Sequence, residues 1–416
     1  MTTNLSRGDK KQNYDLILRL TDISALLFII VFFAFRYEGN AIAILSQIVF
    51  LFMSFVCAYL RGLKIDLLIL WAVAFFGFCA LSIIWAYTPL GADRIASYSI
   101  KSLSIVFAVL LYADTKRNAG VLMLGFIIGA LILAVRLYLS SPIEEFGQKP
   151  LGDTIGFNEN AIGKLFLYSS IICMHYSKKS KWYFLLFLLF ALFSLLSGSR
   201  KAAVIMVGVL VMSFFNKVEK PAHILYIVPF GAAIAALIYL LFNNEQLYHM
   251  IGRRLEYLLN YFNGEGDVGR STLIRMDLIS IGFEQFKEKP ILGYGFNTFR
   301  YMNRYGLYAH NNYIELLVDT GIVGTALFYS AHLIMLVKAI IIWLKKTRDI
   351  IPVIMFIVVT LACDLGSVSY FNEITLVLLA LSYKLIILAD EDKNPALYIK
   401  KELTGNRIFE GRSHYE

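Results

Sequence analysis

The sequence predicts an all-α, polytopic membrane protein, and three observations carry that prediction. Apolar residues (AVILMFWYC) fill 58% of the 416 positions and charged residues only 17%, against roughly 45–50% and about 25% in soluble domains. Apolar runs of about bilayer-spanning length recur along the whole chain. The short loops between them alternate in charge. Arg61 and Lys64; Lys116 and Arg117; Lys178, Lys179 and Lys181; Lys217 and Lys220; and Lys345, Lys346 and Arg348 occupy every second loop. By the positive-inside rule those loops, and both basic termini with them, are cytoplasmic. The net charge of +9 therefore bears on topology and anionic lipid; nucleic acid is not an expected partner.

The first apolar run, about 16–35, follows Arg7, Lys10 and Lys11 but ends in Arg36-Tyr37-Glu38 instead of a small-residue cleavage site. It reads as an uncleaved first helix, not a signal peptide. Further helices are expected near 41–60, 65–86, 97–112, 119–140, 161–176, 182–198, 201–215, 222–242, 318–344, 351–370 and 373–389, for about twelve spans. The chain then divides into helices over 1–242, a large external loop over 243–317, a second helical group over 318–389 and a cytoplasmic tail over 390–416. Only the 243–317 loop is long enough to carry structure outside the membrane. Within it, Leu247, Met250, Ile251, Leu255, Leu258, Leu259 and Phe262 form one helical stripe, and Leu273, Met276, Ile279, Phe283 and Phe286 a second. Both fit helices lying on the outer interface. The Lys289–Gly295 segment breaks the second in a tight turn. Cys57, Cys79, Cys173 and Cys363 all fall inside apolar runs and read as small packed residues, not as a disulfide framework or a metal site.

Several basic residues stand on the side where the charge rule does not expect them: Arg94, Lys101, Arg136, Lys164, Arg200, Lys201 and Arg270. Cations gathered at one membrane depth suit an anion held at the outer surface, and arginine suits phosphate because its fork bonds two oxygens at once. The alternative is snorkelling to lipid headgroups, which is the expectation for Lys101, Arg136 and Lys164. Arg200 is the sharpest exception, since it sits on the very tight turn Ser197-Gly198-Ser199-Arg200 between two apolar runs. Asp22 is expected to pair with Arg19, three residues before it. Asp364, late in an apolar helix, is either functional or a helix–helix hydrogen-bonding group. No His, Asp or Glu cluster has metal-ligand spacing.

The chain is organised around Ala309–Gly321, where a polar segment passes into an apolar helix. Tyr313, Leu316, Leu317, Thr320 and Val323 share one face of that helix; Asn311, Glu315 and Asp319 share another. A polar ridge entering an apolar setting either faces a site or caps the helix end. His310, just ahead of it, is flanked by amides and carboxylates, and the positive end of the helix dipole keeps an imidazole there neutral.

Four features resemble the O-antigen ligase and polysaccharide polymerase superfamily of bacterial envelope glycosyltransferases. They are Ser197-Gly198-Ser199-Arg200, Gly269-Arg270-Ser271, the segment Pro290-Ile291-Leu292-Gly293-Tyr294-Gly295-Phe296-Asn297-Thr298-Phe299, and the run from Ala309-His310-Asn311-Asn312-Tyr313 to Asp319-Thr320-Gly321-Ile322-Val323-Gly324. A fifth, Gly156-Phe157-Asn158-Glu159-Asn160-Ala161, resembles the family's Asn-Pro-Asn segment with Glu159 in place of proline. The resemblance implies transfer of a glycan from undecaprenyl diphosphate to an acceptor hydroxyl, with inversion and with neither metal nor cofactor, on the outer face of the bacterial cytoplasmic membrane. It implies His310 as general base and Arg200 and Arg270 as catalytic cations on the donor diphosphate. Ser199, Lys201, Asn160, Asn311 and Glu315 are the further substrate-binding candidates, with Asn311 or Glu315 to orient either the imidazole or the acceptor sugar. The implied partners are the lipid-linked donor, a glycan or lipid-linked acceptor, membrane lipid and a chain-length regulator. Repeat-unit polymerase is the favoured acceptor class; transfer to a lipid A core or to protein stays open. A secondary transporter is the alternative from another class, disfavoured because the sequence shows no inverted repeat and no pair of glycine- or proline-broken helices at the bilayer midplane.

Overall fold

The computed structural model describes residues 7–35, 40–88, 92–140, 152, 155–217, 269–345 and 348–391, with scattered positions between 231 and 263. Among the described residues there is no strand. The helices are α1 (Arg7–Ala34), α2 (Asn40–Arg61), α3 (Leu67–Leu81), α4 (Ala92–Tyr112), α5 (Lys116–Ser140), α6 (Glu159–Tyr176), α7 (Lys181–Leu196), α8 (Arg200–Lys217), α9 (Arg270–Glu288), α10 (Asn312–Leu344), α11 (Ile351–Asp364) and α12 (Glu373–Glu391). The expected helix over 222–242 lies largely outside the described residues, and all seven residues of the first amphipathic stripe lie outside them.

Among the described residues, six helices are long and apolar enough to cross a bilayer: α1 to α5 and α10. Helices α7, α8 and α11 are apolar but shorter. Helices α6 and α12 stand where spans were expected but bury polar groups, among them Lys164, Ser169 and Ser170 on one and Glu373, Thr375, Ser382 and Lys384 on the other. These bond inward: Lys164 Nζ donates to Thr375 Oγ1 at 3.1 Å, and Tyr168 and Thr360 hydroxyls pair at 2.8 Å. Lys164 is therefore a packed residue, not a snorkelling one. Outer helices do the reverse. On α1, Leu16, Leu20, Ile23 and Leu27 form an exposed stripe, which lipid covers at no polar cost.

The end of the bundle that carries the basic loops is tied by ion pairs. Lys384 reaches Asp66 at 2.7 Å and Asp114 at 3.1 Å. Asp22 pairs with Arg117 at 2.5 Å and accepts from the Tyr112 hydroxyl at 2.5 Å. The expected Asp22–Arg19 pair gives way to this because the helix packing brings α5 and α1 together, which sequence proximity does not register.

At the other end, α9, the 289–311 segment and the first turns of α10 enclose a small core of Leu278, Tyr294, Phe299, Ala309, Ile314 and Val318. The second predicted stripe is only partly inward: Ile279 and Phe286 pack on this core, while Leu273, Met276 and Phe283 are exposed. Leu278 and Gly282 form the buried line instead.

Helix α10 begins at Asn312, six residues before the expected 318, and it is broken. Gly321 has φ 63° and ψ −167°. In a continuous helix Ile322 and Val323 would donate to Val318 and Asp319. Here the 290–295 turn segment enters the gap and takes both sides. Ile322 N–H donates to Pro290 O (2.8 Å) and Val323 N–H to Ile291 O (3.3 Å), while Tyr294 and Gly295 N–H donate to Val318 and Asp319 O, each at 2.8 Å. A Cβ on Gly321 would lie 2.2 Å from Ile291 O, and one on Gly293 2.5 Å from Val318 O. The two glycine-bearing motifs thus interlock. Residues 322–344 after the break still give about 34 Å of helix, long enough for a hydrocarbon core of about 30 Å.

Candidate functional site

The site is built where α8, α9, α10 and α11 end together. His310 occupies a turn just before α10, with φ 53°, a conformation that costs a non-glycine residue about 1–3 kcal/mol unless its surroundings enforce it. They do so from both sides. Asn311 caps α10, its Oδ1 accepting from Tyr313 N–H (3.0 Å) and Ile314 N–H (3.1 Å). Its Nδ2 donates to Leu365 O at 3.4 Å, tying the turn to the end of α11. Ahead of it, Ala309 N–H donates to Glu315 Oε2 at 2.5 Å. The imidazole packs on Tyr308, ring centroids 4.0 Å apart.

The electrostatics are those of a neutral imidazole among cations. Burial, then the charges of Arg275 and Lys201, push the His310 pKa down to about 4, because each disfavours imidazolium. Lys201 Nζ lies 3.5 Å from Cys363 O, on the same end of α11 that Asn311 holds. Beneath the turn, Asn312 is fully buried and bonded on both sides. Its Nδ2 donates to Tyr329 Oη (2.9 Å) and Asp364 Oδ2 (3.2 Å), and its Oδ1 accepts from Ser369 and Tyr370 N–H (2.8 and 3.2 Å). Asp364 is thus the helix–helix hydrogen-bonding group of the two alternatives, with its Oδ1 unpartnered.

The ridge predicted on α10 points into protein. Asp319 is fully buried. Its Oδ1 accepts from Thr298 and Phe299 N–H (3.1 and 2.9 Å) and its Oδ2 from Asn297 N–H and Tyr370 Oη (2.8 Å each). It folds the 297–299 turn. Glu315 is also fully buried, which removes it from contact with an acceptor sugar. Asn311 is the cap, not part of the helical ridge.

The Ser-Gly-Ser-Arg turn links α7 to α8 as expected from its spacing. Ser199 Oγ donates to Asn160 Oδ1 at 2.8 Å, so these two candidates meet, but the serine proton is already committed. A Cβ on Gly163 of α6 would lie 2.6 Å from Ala202 Cβ and 2.8 Å from Ser197 Oγ; glycine there lets the turn sit against α6. Asn158 caps α6, accepting from Asn160 N–H at 2.9 Å. Glu159 therefore stands at the first helical position, where proline is favoured and a carboxylate suits the dipole. The substitution leaves the cap intact. Arg200 opens α8, with its side chain outside the described residues. Arg270 opens α9 and is exposed; the cations acting on His310 are Arg275 and Lys201. Sequence reasoning passed over Arg275, and the signal available was its place between Arg270 and the apolar line of α9. Among the described residues no group of three or more His, Cys, Asp or Glu is arranged to hold a metal.

Residues 185–329 match the family described as O-antigen ligase. The match supports the O-antigen ligase/polymerase superfamily. This O-antigen ligase-type region runs from α7 through the Arg200 turn, α9 and His310 to beyond the break in α10, so it contains every interlocked motif around the site except the Asn160 segment. No curated protein matches the chain. Together, the apolar helices and the family point to a bacterial inner-membrane glycosyltransferase-like enzyme.

Proposed function

We propose that the protein transfers a glycan from undecaprenyl diphosphate to an acceptor hydroxyl at the outer face of the inner membrane, as a repeat-unit polymerase. The observation that supports it is His310, enforced in a left-handed turn at the bundle end opposite the basic loops and flanked by Arg275 and Lys201. In the transfer, the bond between the sugar anomeric carbon and the diphosphate oxygen breaks, and the acceptor oxygen bonds that carbon from the opposite side. The acceptor proton passes to His310, and the diphosphate leaves with the bonding electron pair. Cations aimed at that oxygen lower the barrier. Lys201 and Arg275, whose charges act on His310, are the first candidates for this role, with Arg200 and Arg270 as further candidates, and no metal is required in this scheme.

A free imidazole held near 4 is a weak proton acceptor. Burial is the larger cause of that value and the charges of Arg275 and Lys201 the smaller, so a bound diphosphate that offsets the two charges restores part of the basicity when the acceptor must be deprotonated.

The test uses protein reconstituted in nanodiscs with a synthetic undecaprenyl-diphosphate oligosaccharide. A ladder of lengthened lipid-linked glycans supports the polymerase reading. Product only upon addition of lipid A core moves the assignment to ligase. No product with any hydroxyl acceptor refutes glycan transfer.

A further inference from the structure

The main-chain N–H of Ala309, adjacent to His310, is held by a residue with no route to substrate. Glu315 is fully buried on the first turns of α10. Its Oε2 accepts the Ala309 N–H at 2.5 Å, and its Oε1 has no hydrogen-bond partner. Ala309 is itself fully buried, so its N–H has no water to turn to. The following residue adopts φ 53°.

Resting on the general-base reading, we infer that Glu315 is the positioning residue for His310: by holding the Ala309 N–H it fixes the turn that aims the imidazole. A strained backbone persists only where its neighbours over-determine it. The Asn311 cap restrains the turn on one side and Glu315 on the other. Without the carboxylate, Ala309 would become an unsatisfied buried donor, which a chain avoids by moving. The smallest such movement relaxes His310 to an ordinary φ and swings its ring off Tyr308. Glu315 does not serve as the base itself. One oxygen is occupied by a backbone donor, and the residue is sealed beneath the turn it holds.

Single-turnover transfer by the reconstituted protein tests this in four variants: Glu315→Ala, Glu315→Gln, His310→Ala and the double variant with alanine at both positions. Glu315→Ala should lose about 10²-fold, the effect of misplacing a reacting group by about 1 Å. Glu315→Gln keeps an oxygen acceptor for Ala309 and should lose less than about tenfold. In the His310→Ala background, Glu315→Ala should cost less than about twofold, because no imidazole remains to aim.

The acid limb of the rate profile adds a reading that partial misfolding does not move. In Glu315→Ala the ring meets water and withdraws from Arg275 on α9 and Lys201 on α8. With donor held below saturation, so that the profile reports the free imidazole, the limb should then rise from near 4 toward the ordinary histidine value of about 6.5. Equal losses in both His310 backgrounds, an unmoved limb, or a glutamine variant as poor as alanine would overturn the positioning assignment alone. A wild-type rate in His310→Ala would instead overturn the general-base reading, and this assignment with it.

Discussion

Replacing Asp319 with alanine separates a structural role for the Asp-Thr-Gly motif from a chemical one. The carboxylate accepts from three main-chain N–H groups, of Asn297, Thr298 and Phe299, and from the Tyr370 hydroxyl, at 2.8–3.1 Å. Both Asp319 and the turn it organises are buried, so water does not replace it. Each buried donor left unsatisfied costs about 1–3 kcal/mol, so four donors give a loss of at least about 4 kcal/mol. That is a large part of a stability of about 5–15 kcal/mol. Asp319→Asn should be milder: its single carbonyl oxygen serves one pair of donors and its amide confronts the other, leaving about half the loss. Thermal unfolding of detergent-purified protein, followed by fluorescence-detected size exclusion, reads the order wild type, asparagine, alanine. Transfer activity should fall in parallel with the folded fraction. An alanine variant that unfolds with wild-type protein but transfers nothing would show that Asp319 acts on substrate and refute the structural account.

Three further outcomes follow from the same geometry. Gly321→Ala places a Cβ 2.2 Å from Ile291 O at φ 63° and should lower the unfolding temperature sharply, whereas Gly208→Ala, with no atom within 4 Å, should leave it within error. Arg275→Ala should reduce transfer by about 10²–10³-fold and raise the His310 acid limb by removing a repelling charge, while Arg270→Ala should leave that limb in place. With wild-type protein, kcat/KM for the donor should fall as pH drops through about 4, where the free imidazole protonates. The limb in kcat should lie at higher pH, because the bound diphosphate offsets Lys201 and Arg275; a kcat/KM limb near the ordinary histidine value would contradict the buried, cation-flanked site.

The sequence alone determined what depends on local pattern. Hydropathy and loop charge located the helices found at α1 to α8 and α10 to α12, with ends within about six residues except the start of α1, which lies nine residues earlier than expected, because a lipid-facing helix declares itself by length and composition. Turn chemistry marked Ser197–Arg200 and the Gly293-x-Gly295 segment, since few residues tolerate those backbones. The prominence of His310 was also legible, from a lone histidine among amides before a helix. What only the tertiary structure decided are pairings between distant segments. Period and spacing placed Asn311, Glu315 and Asp319 on one ridge, but could not say whether the ridge met ligand or protein. The packing of the 297–309 segment on α10 settled that, turning Asp319 into the anchor of one turn and Glu315 into the holder of another. Arg275, and not Arg270, was brought to bear on His310 because α9 packs through Leu278 and Gly282 and not through the stripe that hydrophobicity favoured. Asp22 met Arg117 for the same reason. A carboxylate or guanidinium carries the same letter wherever it lies; which partner it finds is fixed by the packing of helices far apart in the chain, and that packing is where the chemistry of this site was decided.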